Sequence, residues 1–340
     1  MQTKALKFHL EVLAKEQPLK VGRTLLINAA PSDYLELLGE HDLTVFCSLA
    51  NTADQWNSKK TETIQDFTEV TGKFDNIIHF ATKFATENIS TIGQFVPLLE
   101  GDGAWLTIIP NRTGASRLKK DVSKLFAEVE TTSKAKCRIF QTGSEYDQLL
   151  ARKWASLNKP KAIKGTELVT VPGVFSAEKI DAGSKLLAEV LVEESLYGSV
   201  ADLGAGYGFL SHTILSTKRQ KMKKLCLYEL DYRALECAKQ NLTGLSDRVD
   251  YHWVDVTANV PHERPFDMVI MNPPFHEAQD ASSELGKTFI KQAATILKPG
   301  GTLYLVANLH LPYEKEIQEQ FRSHRLLREE NGFKLFLARK

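Results

Sequence analysis

The chain has 340 residues, 43% hydrophobic and 25% charged, a balance that fits a globular protein long enough for two cores and excludes a disordered or collagen-like chain. Its formal net charge of +1 sets aside a uniformly basic nucleic-acid coat and leaves local patches to carry any phosphate contact. Met1-Gln2-Thr3-Lys4-Ala5 has no apolar signal core and no run approaches the ~20 apolar residues of a membrane span, so a cytoplasmic protein with no membrane partner is expected.

An amphipathic helix is predicted over residues 6–14, a strand over 24–30 and a short helix over 34–38. Strands follow at 43–47 and 74–80, then a helix at 89–99. After Gly101-Asp102-Gly103 comes a strand at 104–109. This alternation predicts a doubly wound α/β domain over residues 1–148. Arg112, Arg117, Lys119 and Lys120 come next, around a Thr-Gly-Ala loop. The segment leaves the carboxyl end of a strand, so it reads as a phosphate-backbone contact or as a solvated helix face. A helix is predicted over 146–157, and residues 149–165 read as a link that ends in the basic, proline-broken run Asn158-Lys159-Pro160-Lys161-Ala162-Ile163-Lys164-Gly165. With Arg152, Lys153 and Trp154 beside it, the segment reads as an exposed linker or as a phosphate and base contact.

In the second domain, residues 166–340, a helix is predicted over 184–197, with Ser184 as its cap and Gly198 as its stop. Strands are predicted at 200–203, 225–229, 249–255, 266–271 and 303–306, with helices at 281–297 and 314–321. A last strand, 333–338, is placed antiparallel at the sheet edge. The basic run Lys218, Arg219, Lys221, Lys223 and Lys224 precedes the strand at 225–229, so it falls at that strand's amino end and reads as a solvated turn.

The two halves run parallel. Phe74-Asp75-Asn76-Ile77-Ile78 matches Phe266-Asp267-Met268-Val269-Ile270, residues 99–106 match 297–304, and 25–30 match 200–205. In the first copy Ala29, Ala30 and Pro31 stand for the glycines of the second, Cys47 for Glu229, and His79-Phe80-Ala81-Thr82 for Asn272-Pro273-Pro274-Phe275. The first copy is therefore expected to be degenerate, a scaffold or docking module.

The chemistry is expected where the strand 266–271 runs into Asn272-Pro273-Pro274-Phe275-His276. Two prolines cannot donate to the ladder, so they end the strand in a rigid turn at its carboxyl end, where open α/β sheets place their sites. The Asn272 carboxamide oxygen and the Pro273 carbonyl are two acceptors that can grip a flat exocyclic amine. They favour a pyramidal nitrogen and shield the charge that builds on attack. Phe275 can stack on the base that carries the amine. Upstream, Asp202-Leu203-Gly204-Ala205-Gly206-Tyr207-Gly208 has Gly-x-Gly-x-Gly spacing, which differs from the dinucleotide fingerprint. The acid at Asp202 suits a cationic amino-acid moiety better than a pyrophosphate. Glu229 ends the next strand, where a carboxylate can hold ribose hydroxyls, and Asp255 could accept from an adenine amine. Cys47, Cys137, Cys226 and Cys237 lack metal spacing and read as reduced, buried thiols. The nine histidines form no ligand set, so no metal is expected, and no nucleophile elbow is present.

Together, Asp-x-Gly-x-Gly-x-Gly and Asn-Pro-Pro-Phe resemble S-adenosylmethionine-dependent methyltransferases acting on an exocyclic nitrogen. Order and spacing are similar to the ribosomal RNA guanine-N2 methyltransferases, and among them to the small-subunit type C family. Pro172-Gly173-Val174-Phe175-Ser176 and Asp181-Ala182-Gly183-Ser184 resemble a pair which that family carries ahead of its first strand. The resemblance implies two tandem Rossmann-like class I methyltransferase domains, the N-terminal copy degenerate. It implies S-adenosylmethionine held by Phe175, Ser176, Asp181, Ser184, Asp202, Gly204, Gly206, Glu229, Asp255 and Asn272. It implies Asn272, Pro273 and Phe275 as catalytic residues, with Pro274, His276 and Arg112 at the substrate. The implied substrate is a guanine N2 in 16S rRNA, free or in the 30S subunit, and the implied enzyme is a monomer. A 23S rRNA guanine, an adenine N6, a protein glutamine amide, or a non-enzymatic RNA-binding assembly role are the alternatives.

Overall fold

The computed structural model describes residues 1–16, 18–217, 221–258, 260–262, 264–274 and 279–340, and of 279–282 the backbone only. Phe275, His276, Glu277, Lys218 and Arg219 lie outside the described residues. The chain divides between Lys159 and Pro160 into two compact units.

In the first unit, α1 (Gln2–Glu16) precedes β1 (Arg23–Ile27), β2 (Asp42–Phe46), α2 (Ala50–Asn57), β3 (Thr63–Ile64) and β4 (Phe74–Phe80). Then come α3 (Ala85–Phe95), β5 (Leu99–Pro110), α4 (Ala115–Leu125), β6 (Glu130–Lys134), β7 (Cys137–Thr142) and α5 (Gln148–Ala155). The sheet order is β3-β2-β1-β4-β5-β7-β6, with β7 antiparallel to β5 and to β6. The second unit opens with a small ribbon, β8 (Lys161–Ala162) and β9 (Val169–Thr170). It continues with α6 (Ala182–Glu193), β10 (Tyr197–Leu203), α7 (Phe209–Leu215), β11 (Lys221–Glu229), α8 (Tyr232–Asn241), β12 (Val249–Trp253) and β13 (Phe266–Met271). It closes with α9 (Gln279–Ile296), β14 (Leu297–Asn308), α10 (Glu314–Gln320), β15 (Ser323–Glu330) and β16 (Phe333–Arg339). Its order, β12-β11-β10-β13-β14-β16-β15, repeats that of the first.

The strands are near-continuous apolar runs because both faces of each sheet are covered. In β1, Leu25 and Ile27 belong to one core and Leu26 to the other. In β13, Val269 and Met271 face one core and Met268 and Ile270 the other. Both units therefore have the expected architecture, tandem Rossmann-like α/β domains built on one repeated topology.

Several local expectations change. The cap of α6 is Asp181, whose carboxylate accepts from the Ser184 N–H at 2.8 Å; Ser184 is inside the helix. Gly198 does not stop that helix but lies in β10. The last strand is not the sheet edge: β16 pairs with β14 on one side and with β15 on the other. The hairpin β6–β7 and the strand β15 escaped the hydrophobic pattern. All five residues of β6 are exposed, and Arg and Glu crowd β15. The helix expected over 146–157 is present as α5, but its Ala151 and Trp154 are buried in the core of the first unit, so it belongs to that unit and not to a link.

The register also moves the internal alignment by one residue. Ile27 pairs with Phe46 and His79, as Leu203 pairs with Tyr228 and Met271. His79 thus matches Met271, and Phe80, not His79, stands in the place of Asn272. By the same count Asn28 and Ala30 match Gly204 and Gly206. Asn28 keeps a left-handed φ of 57°, beside 74° at Gly204.

Candidate active site

The site is assembled at the carboxyl ends of β10, β11 and β13, which pair side by side in parallel. Gly204, Gly206 and Gly208, at φ 74°, 56° and 83°, make every second residue of the loop after β10 left-handed. A side chain is disfavoured at each of these, and that accounts for the glycine spacing. The loop is pinned to β11 through its own amides: the Gly204 N–H donates to the Tyr228 carbonyl at 2.8 Å and the Gly206 N–H to Glu229 Oε2 at 2.7 Å.

Glu229, the last residue of β11, also accepts from the Asp231 N–H through Oε1 at 2.9 Å. Burial pushes its carboxyl up to about 7, against these backbone donors. Asp255 lies two residues beyond β12, in a turn where its Oδ1 accepts from Thr257 N at 2.8 Å and Thr257 Oγ1 at 2.6 Å.

Asn272 follows β13 directly. Its Nδ2 donates to Asp181 Oδ2 at 2.8 Å and to Ser184 Oγ at 2.7 Å. Its Oδ1 is buried and has no donor among the described residues. Pro273 is buried, while Pro274 is exposed and lines the adjoining cleft. Two clefts meet at Asn272. One, of about 260 Å3, runs past Phe175, Gly206, Glu229, Asp255 and Phe289. The other, of about 40 Å3, adds Ser176, Asp181, Ser184 and Tyr207 to Phe175, Gly204 and Gly206. Phe175, which lines both, is 40% exposed, and Ser176 adopts a left-handed φ of 56°.

The structure thus brings Phe175, Ser176, Asp181, Ser184, Gly204, Gly206, Glu229, Asp255, Asn272 and Pro274 to one place. Asp202 is the exception. It is fully buried, its Oδ2 accepts from Ser211 Oγ at 2.6 Å, and it lines neither cleft. Asp202 pairs with Leu227 and Ile270, whose side chains enter the core under α6 and α7. Strand parity sends its carboxylate there too, behind the loop rather than into the cleft. Burial pushes it up to about 7.

Arg112 is exposed in the first unit, in the turn before α4, where Arg117, Lys119 and Lys120 are also exposed. The apolar stripe of α4, Ala115, Leu118, Val122 and Leu125, is buried. In the first unit's counterpart of the glycine loop, the Ala29 carbonyl accepts from Trp56 Nε1 at 2.7 Å and the Ala30 carbonyl from Tyr34 Oη at 3.0 Å. Both rings are buried.

All four cysteines are buried thiols outside any disulfide. The histidines are not wholly apart from ligand-type residues: Cys226, Asp250 and His252 bring one ligand atom each to within 4.8 Å of one another. The adjacent strands β11 and β12 create this cluster, and Lys224 already pairs with Asp250 there at 2.6 Å. Among the described residues no helix is long and apolar enough to cross a membrane.

With this geometry in place, comparison with known proteins gives a family. The methyltransferase small domain family matches residues 165–337. The ribosomal RNA small subunit methyltransferase C of Mannheimia succiniciproducens is 30% identical over 289 residues, covering 83% of this chain and 84% of that one. The protein of the same name from Haemophilus influenzae (strain PittGG) is 27% identical over 280 residues, covering 82% and 83%. Among solved structures, the T. thermophilus 16S rRNA N2 G1207 methyltransferase RsmC, in complex with AdoMet and guanosine, matches with a TM-score of 0.80. That match has 22% identity, covers 98% of this chain and 92% of that chain, and establishes a common fold. The chain belongs to the ribosomal RNA small subunit methyltransferase C family, and its C-terminal unit carries that family's methyltransferase small domain.

Proposed function

We propose that the chain transfers a methyl group from S-adenosylmethionine to the exocyclic N2 of a guanine in 16S rRNA. The observation that carries this reading is the Asn272 carboxamide. Its nitrogen is held on two sides, and its buried oxygen has no donor among the described residues. An acceptor left so costs about 1–3 kcal/mol, which suits a site kept for a ligand that brings N–H groups. A nucleobase amine is such a ligand.

The residues present fit the cofactor. Glu229 offers an oriented carboxylate at the end of the second strand of the fold, where ribose hydroxyls are held. Asp255, turned by Thr257, faces the same cleft and suits an adenine amine. The exposed Phe175 ring and Phe289 give it apolar walls. The sulfonium of the bound cofactor supplies the methyl carbon. Asn272 accepts from the amine, favours the pyramidal nitrogen over the ring-conjugated one, and shields its growing charge. The methylated nitrogen is acidic enough to lose its proton to water, so the chain need not supply a base. Phe275 and His276, beyond the described residues, are assigned to the base, as are Pro273 and Pro274.

In the same reading the first unit is a scaffold and RNA-docking module. Trp56 and Tyr34 occupy the carbonyls of its former glycine loop, and Arg112 and the basic face of α4 are open to phosphates. The protein acts as a monomer on 30S subunits in the cytoplasm, where its thiols stay reduced.

The test is transfer of labelled methyl groups to 30S subunits, 50S subunits, free rRNA and protein, followed by nucleoside analysis. Label on N2 of a 16S guanine is the expected outcome. Label on 23S rRNA, adenine or glutamine would reassign the substrate. Cofactor binding with no transfer to any of them would favour an assembly factor.

A further inference from the structure

We infer that Asp181 and Ser184 are positioning residues for the methyl-acceptor amine: from the first turn of α6 they dictate which end of the Asn272 carboxamide faces it. The inference rests on the reading of Asn272 just given, and it takes these two residues out of the set expected to hold the cofactor.

A carboxamide has two nearly isosteric ends, one accepting and one donating. The wrong end turned toward an amine would meet donor with donor. Here both Nδ2 hydrogens have acceptors, Asp181 Oδ2 at 2.8 Å and Ser184 Oγ at 2.7 Å. A hydroxyl would tolerate either end of the amide. An ionised carboxylate has no proton to give, so Oδ1 cannot take that place. Asp181 makes the choice, and Ser184 takes the second hydrogen.

The carboxylate is itself fixed. The same Asp181 Oδ2 caps α6 by accepting from the Ser184 N–H at 2.8 Å. Gly183, between them, leaves no slack: a Cβ there would lie 2.8 Å from the Phe333 ring and 3.2 Å from Asp181 Oδ2. The result is an amide held rigidly from behind, with a buried oxygen that has no donor among the described residues. A negative charge on the N–H side also polarises the amide and strengthens its oxygen as an acceptor. Asp181 and Ser184 do line the small cleft, which is why they resemble cofactor contacts, but the polar atoms named here are spent on Asn272 and on the cap.

The experiment uses the full chain with 30S subunits and S-adenosylmethionine. Asp181→Asn keeps a good helix cap but offers Asn272 a neutral partner that can accept or donate. It should lower kcat roughly 100-fold while the cofactor Kd and the KM for 30S change by no more than about 3-fold. Ser184→Ala should cost about 10-fold in kcat, and Ser184→Thr should recover most of it. In the Asn272→Ala background, Asp181→Asn should cause no further loss, because the group it positions is gone. Thermal melts confirm that each variant is folded. A cofactor Kd that rises in step with the loss of kcat would overturn the inference, as would an equal loss on top of Asn272→Ala. Full activity in Asp181→Asn beside an inactive Asn272→Ala would overturn it alone and leave the proposed function standing. Full activity in Asn272→Ala would instead overturn the reading of Asn272 on which it rests.

Discussion

Asp267 accepts from the backbone N–H of Ser199 at 2.8 Å, and Asp75 accepts from that of Arg23 at 3.0 Å. Each aspartate is the second residue of its strand, β13 or β4, and each is paired at 2.8 Å with a lysine, Lys298 or Lys20. A glycine precedes each donor. A Cβ at Gly198 would lie 2.1 Å from Asp267 Oδ2, and one at Gly22 would lie 2.2 Å from Asp75 Oδ2. The same latch therefore ties the first strand to its neighbour in both units. It records the duplication better than the site residues do, because folding needs it whether or not the unit is an enzyme.

Gly198→Ala should destabilise the second unit. The new methyl group collides with a carboxylate held by two partners, and Gly198 sits at φ 66°, where a side chain is strained. The two costs together should be roughly 2–4 kcal/mol. Urea midpoints measure it. Asp267→Ala removes the obstacle, so the double variant should lose less than the sum of the single ones.

Much of the fold is legible because buried parallel strands must be apolar on both faces. Residues 74–80 were bounded correctly from sequence for that reason. Strand ends likewise put Gly204, Gly206, Glu229 and Asn272 together at the carboxyl ends of neighbouring strands. What stayed hidden depends on contacts between distant residues. Asn272 meets Asp181 across 91 positions, and no local pattern announces that bond. The face taken by Asp202 follows from its pairing with Leu227 and Ile270, and the match of Phe80 to Asn272 follows from ladder register. The strands β6 and β15 have too little apolar alternation to be seen.

Asp202 predicts a pH dependence of stability. Burial raises its carboxyl from 3.8 to about 7, against the Ser211 hydrogen bond. Between those values the folded chain holds a proton that the unfolded chain releases, so stability falls as pH rises, by at most about 1.4 kcal/mol per unit. Above about 7 and below 3.8 this group contributes no slope. Asp202→Asn should make the profile of unfolding free energy less steep across that window, leaving the like contribution of Glu229, and gain on the parent at its upper end. A variant that tracks the parent at every pH would show that the carboxyl is not the source.

The exposed cations of α4 predict a binding defect without a chemical one. Arg117→Glu with Lys120→Glu should raise the KM for 30S subunits by roughly 10-fold and leave kcat and cofactor Kd near the parent values. The defect should shrink as salt is added, because phosphate contacts are screened. An unchanged KM at low salt would make this face simple solvated surface.

Gly206→Ala separates backbone conformation from crowding at the cofactor cleft. Gly206 sits at φ 56°, and among the described residues nothing lies within 4 Å of an added Cβ, so the methyl group itself has room. The cost is backbone strain, about 1–2 kcal/mol, and the loop can relieve it only by rotating the amide that donates to Glu229 Oε2 at 2.7 Å. Glu229 would then lose one of the backbone N–H groups that orient it, and on the proposed reading its carboxylate would no longer be aimed at the ribose. Cofactor Kd should rise by about 10-fold or more, with a loss of stability no greater than the strain itself. Titration calorimetry on the full chain gives the first number and urea denaturation the second. Glu229→Gln, which keeps the shape but not the charge, should weaken binding in a parallel way. If Gly206→Ala bound the cofactor like the parent protein, the left-handed turn would be a relic of folding rather than a device for presenting Glu229.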